Sequence, residues 1–109
     1  MAYDAGLAQL MRDDLDGRDG ITERRMFGGM CFILDGNMLC GVHQGGAMYR
    51  VGKQNEAAAL AIPGAGPMQF TGRRMGGFVD IESDAMADDA RRMQWLALAE
   101  NFVSGLPAK

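Results

Sequence analysis

A two-layer α+β domain is predicted, with a mostly antiparallel sheet and helices on one side. Three observations point to it. Helical periodicity is confined to the two ends and one short central run. Between these lie short apolar runs separated by glycine turns. The length, 109 residues, suits one core and one domain spanning 1–109. The order read from the sequence is α-β-β-β-α-β-β-α.

The first helix is expected over 3–16. Leu7, Leu10, Met11 and Leu15 form an apolar stripe, Asp4 is the candidate N-cap, and Asp16-Gly17 with Asp19-Gly20 stops the run. Ile21–Met26 is a short strand candidate, followed by a break at Gly28-Gly29. Residues 30–34 and 37–42 are apolar runs flanking Asp35-Gly36, a strong hairpin signal because both turn positions need positive φ. Gly45-Gly46 leads into a strand over Ala47–Val51. A second helix is expected over Gln54–Ala61, and Pro63-Gly64-Ala65-Gly66-Pro67 reads as a loop. Residues 69–71 and 77–81 read as two more strands. Ser83 or Asp84 is expected to cap a final helix over 85–104, with Met86, Met93, Leu96, Phe102 and Val103 on one face.

The composition is that of a soluble globular chain, 48% hydrophobic and 23% charged. The net charge of −3 disfavours direct DNA binding driven by phosphate neutralisation. No apolar run is long enough to span a bilayer, and the first residues lack the pattern of a signal peptide, so a cytoplasmic location is expected. The 16 glycines fall at turns, and the 10 methionines lie mainly at apolar periodic positions, as core filler or as an adaptable binding face.

No signature of an enzyme is present. There is no phosphate loop, dinucleotide fingerprint, GxSxG elbow, CxxC or HExxH, and the one histidine, His43, cannot make a histidine metal site. Asp13-Asp14 and Asp88-Asp89 are adjacent on helices and point different ways. No catalytic residue, cofactor or metal is therefore expected. Charge is distributed unevenly: residues 1–20 and 80–109 are each net −3, while 21–79 is net +3. Arg24, Arg25, Arg73 and Arg74 are the candidate anion- or partner-binding residues.

A two-residue turn at Asp35-Gly36 would place Cys31 directly opposite Cys40, with Cα atoms about 4.5 Å apart, so the two form a candidate cross-strand thiol pair. On that register Cys31, Ile33, Met38, Cys40 and Val42 share one face, and Met30, Phe32, Leu34 and Leu39 the other. Both faces are apolar, whereas an antiparallel sheet commonly keeps one face wet. Helices can cover one face, so the other is expected to meet a protein partner or a second copy in a homodimer.

The segments Arg25-Met26-Phe27-Gly28-Gly29 and Phe32-Ile33-Leu34-Asp35-Gly36-Asn37-Met38 resemble the N-terminal domain of the TfoX/Sxy bacterial competence regulators. Met48-Tyr49-Arg50-Val51, Pro67-Met68-Gln69-Phe70, Met75-Gly76-Gly77-Phe78-Val79-Asp80-Ile81 and Trp95-Leu96-Ala97-Leu98-Ala99 extend the likeness over roughly 3–104. The family motif residues are Met26, Phe27, Gly28, Gly29, Asp35 and Gly36. The resemblance implies an antiparallel α+β fold grouped with type III secretion chaperones. It also implies a part in transcriptional activation, in partnership with the cyclic-AMP receptor protein. The full regulators carry a second, C-terminal helical domain, which this chain is expected to lack. The resulting expectation is a non-enzymatic interaction or regulatory domain whose partner is a protein such as a transcription regulator. A small-ligand or thiol-redox protein centred on Cys31 and Cys40 is the alternative.

Overall fold

In the computed structural model, which describes residues 3–26, 28–70 and 72–109, six strands form one antiparallel sheet. The elements are α1 (Ala5–Asp14), β1 (Ile21–Met26), β2 (Gly29–Leu34), β3 (Asn37–His43), β4 (Gly46–Arg50), α2 (Glu56–Leu60), β5 (Ala65–Phe70), β6 (Arg73–Glu82) and α3 (Asp89–Val103). Their order in the sheet is β1-β2-β3-β4-β6-β5. The α+β expectation holds: four strands precede α2, at the four segments read as strands from the sequence, although the order read from it counts three. Ile21–Met26 pairs along its whole length with β2.

α1 begins where Asp4 accepts hydrogen bonds from the backbone N–H groups of Gly6 (2.7 Å) and Leu7 (3.3 Å). Leu7, Met11 and Leu15 are buried beneath it. α3 starts later than expected. Residues Ser83–Ala87 make a short 3-10 turn that buries Ala85 and Met86, and Asp88, in extended conformation, caps α3 by accepting from Arg91 N–H at 3.0 Å. α2 is shorter than expected, because Lys53–Asn55 form a separate 3-10 turn.

The helix-side core is organised around Trp95 of α3, which is fully buried and stacks on Tyr49 of β4 with centroids 6.2 Å apart. Its indole N–H donates to the Ala59 carbonyl at 3.2 Å, tying α2 to α3. Burying roughly 200 Å² of an aromatic side chain contributes about 5 kcal/mol before the entropic cost of ordering it.

Two strand features depart from the sequence reading. The segment expected as a loop, Pro63–Pro67, enters β5 at Ala65. Pro67 is tolerated there because β5 is an edge strand, and a missing N–H can face solvent. The β2–β3 hairpin turns at Asp35 (φ 50°) and Gly36 (φ 87°) as expected, but β3 carries a bulge at Leu39. Beyond it Cys40 pairs with Phe32, and Gly41 with Cys31. A slip of one residue transfers side chains to the other face. Cys40 and Val42 therefore join the helix-side core, while Cys31 and Met38 stay on the opposite face.

Candidate functional site

The sheet face without helices carries a second apolar cluster, built entirely from strand residues. Each strand contributes: Met26 (β1), Cys31 (β2), Met38 (β3), Met48 (β4), Met68 (β5), and Met75 with Phe78 (β6). Cys31, Met48 and Met68 are 0%, 1% and 8% exposed and form its floor, and the other four are half-buried over them. The sequence arranges this locally. Gly41 leaves room for Met48, whose Cε would lie 3.1 Å from a Cβ at that position. Gly77, at φ 86°, bends β6 so that Met75 and Phe78, three residues apart, reach the same cluster. Methionine is unbranched and polarizable, so such a stripe can remould itself against a partner.

Alternation places Arg24 on the same face as Met26, and Arg73 on the same face as Met75. Both arginines are exposed, and among the described residues neither has a carboxylate within ion-pair distance. The four arginines picked out from the sequence do not converge on one patch. β1 and β6 are separated in the sheet by β2, β3 and β4. Arg25 shares its face with Met30 of the helix-side core, and Arg74 pairs with Glu56 of α2. Arg24 and Arg73 are left as basic points at the two sides of the methionine stripe. His43 and Asp80 lie at one end of the face. His43 Nε2 stands 2.6 Å from Asp80 Oδ1, and its Nδ1 accepts from Gly45 N–H at 3.0 Å. The hydrogen bond to Asp80 raises the His43 pKa.

The cysteines do not form the facing pair expected from an unbulged hairpin. Both are free, and they belong to different clusters on opposite faces of the sheet. Burial pushes the Cys31 thiol up to about 11 and the Cys40 thiol well above its ordinary range, which withholds the nucleophilic thiolate. This environment suits packing more than redox chemistry.

The motif glycines and Asp35 have structural work. A Cβ on Gly29 would overlap the Val42 carbonyl oxygen, so glycine lets β3 approach. The Asp35-Gly36 turn also receives the segment after α3. Lys109 N–H donates to the Asp35 carbonyl at 2.8 Å, and buried Asn37 donates from Nδ2 to the Pro107 carbonyl at 2.9 Å. Met26 lies at the rim of the stripe, and Phe27 lies outside the described residues. Sequence reasoning missed Met48 and Met68 as the floor of a surface cluster; their one signal was the recurrence of methionine in successive strands.

A separate shallow groove of about 460 Å³ runs between α2 and α3, lined by Ala58, Ile62, Gln94, Ala97, Leu98 and Asn101. Met93, expected in the core, lies exposed on α3 (40%). Among the described residues no three or more His, Cys, Asp or Glu side chains are grouped to hold a metal ion. No helix among them is long and apolar enough to cross a membrane.

Fold and face together define a single-sheet α+β domain with a helix-packed side and a methionine-lined side. The chain belongs to the TfoX N-terminal domain family, whose sequence model matches residues 13–103. No curated protein and no solved structure matches it.

Proposed function

We propose that this domain is a non-enzymatic, regulatory docking module that binds an acidic partner protein through the methionine-lined sheet face. One observation carries the reading: six strands each place an apolar side chain on a face that no helix among the described residues covers, flanked by two arginines that, among those residues, have no carboxylate within ion-pair distance. Charge favours a different protein over a second copy of this chain. A two-fold homodimer on this face would set the basic flanks of one copy against those of the other, and like charges brought together oppose association. A segment alternating apolar and acidic side chains would satisfy the stripe and the arginines together. A transcription regulator, the partner class implied by the resemblance to competence regulators, would act from the cytoplasm in this scheme.

The test is photocrosslinking in cells that express the protein, with a photoreactive residue replacing Met38, and another replacing Met93 as a control on α3. The reading expects an adduct from position 38 whose attachment site lies in an acidic and apolar segment of another protein. Adducts only to a second copy of this chain, adducts only from position 93, or none at all would overturn it.

A further inference from the structure

A concavity lies at the end of β4, where the chain leaves the sheet for α2 and crosses the bend in β6. Its volume is about 320 Å³, and Arg50, Lys53, Phe78, Phe102 and the glycines 52, 76 and 77 contribute to its walls. The glycines let its walls approach closely. A Cβ on Gly52 would overlap the Phe102 ring, and one on Gly76 would press on the Lys53 side chain at 3.2 Å. Gly77 accepts from the N–H groups of Val51 and Gly52, both at 2.9 Å, which fixes the two backbones against each other.

Arg50 is held in an unusual way. Its guanidinium carbon lies 5.6 Å from the Phe102 centroid and 5.9 Å from the Phe78 centroid. The two rings orient the cation without neutralising it. Arg12, Arg18, Arg74, Arg91 and Arg92 each have a carboxylate within ion-pair distance, whereas among the described residues neither Arg50 nor Lys53 has one. The nearby carboxylate of Glu56 is engaged elsewhere, by Arg74 and by the N–H of Gly77 at 2.9 Å. Two unneutralised cations therefore border one aromatic-walled cavity.

We infer that this cavity binds a small organic phosphate, with Arg50 and Lys53 holding the phosphoryl group. A planar fork and a point charge together suit a multiply charged group with several oxygens better than a single carboxylate. Phe78 and Phe102 in its walls suit the less polar part of a phosphomonoester.

Ribose 5-phosphate, ribose and inorganic phosphate are the probes, titrated against the native protein while the Gly76 and Gly77 amide resonances are followed by NMR. Ribose 5-phosphate is expected to shift both amides at millimolar concentration, inorganic phosphate to bind more weakly, and ribose to leave them unmoved. Lys53→Gln, at an exposed position that can change without disturbing the core, should weaken binding about tenfold, and Arg50→Gln should abolish it. No shift with ribose 5-phosphate, equal binding of inorganic phosphate, or unchanged binding in Lys53→Gln would each overturn the inference.

Discussion

Arg92 of α3 reaches across to Asp14 of α1 and grips it with two hydrogen bonds, Nε to Oδ2 at 2.8 Å and Nη2 to Oδ1 at 3.2 Å. The guanidinium is buried, and it also donates to the Met86 carbonyl at 2.9 Å. Arg92 Nη1 also lies 2.8 Å from Asp89 Oδ1, an exposed carboxylate that keeps part of the charge balanced when Asp14 is removed. The loss therefore falls at the lower end of the about 3–5 kcal/mol typical of breaking a buried pair. Asp14→Ala is expected to lose about 3 kcal/mol in urea unfolding. Glu100→Ala, which breaks the more exposed pair with Arg18, should lose about 1 kcal/mol or less.

Asn37 joins the hairpin turn to the segment after α3 through its hydrogen bond to the Pro107 carbonyl. Asn37→Ala is expected to cost about 1–2 kcal/mol, because a part-buried acceptor loses its donor. Hydrogen exchange checks the mechanism. The Lys109 amide, protected by its bond to the Asp35 carbonyl, should exchange faster in the variant, while amides in the centre of α3 follow only the global change.

Both thiols should resist modification in the native protein and react on unfolding. Iodoacetamide at pH 8 is expected to label Cys31 and Cys40 only after denaturant is added, since burial removes access and raises both pKa values. The same shifts give stability a sign against pH. The native protein keeps thiol protons that the unfolded chain gives up above about pH 8.5. Stability should therefore be full below that pH and fall as pH rises toward 11, the value to which Cys31 is pushed. Replacing Cys31 with Ala should reduce this slope in alkaline unfolding curves.

His43 acts at lower pH. Its pKa is raised in the folded protein by the hydrogen bond to Asp80, so its contribution is complete below the unfolded histidine value near 6.5. That contribution is lost as pH rises through the folded value. The ring should titrate above 6.5 by NMR, and Asp80→Asn should lower that value and flatten the stability change across the interval.

The sequence made the turns legible and left the faces unsettled. Asp35-Gly36 announces a hairpin because few residues accept positive φ at two successive positions, and Asp4 announces the start of α1 because its carboxylate can take up orphan N–H groups. The bulge at Leu39 left no local mark. Met38, Leu39, Cys40 and Val42 are all apolar, so alternation could not tell which side each would take, and packing on both faces decided it. The pairing of Cys31 with Cys40 failed for that reason. β5 was hidden by Pro67 and its neighbouring glycines, which read as loop residues until the edge position explains them. The arginines were visible as charges, but only the strand order shows that Arg24 and Arg73 flank the stripe while Arg74 is neutralised by Glu56.

Charge reversal on the methionine-lined face tests the docking account most directly. The adduct formed from position 38 is compared between the otherwise native protein and the double variant Arg24→Glu, Arg73→Glu, with thermal unfolding measured on both. The adduct is expected to disappear while Tm stays within a few degrees, because among the described residues neither arginine has a carboxylate within ion-pair distance. An adduct of undiminished yield in the double variant would contradict it.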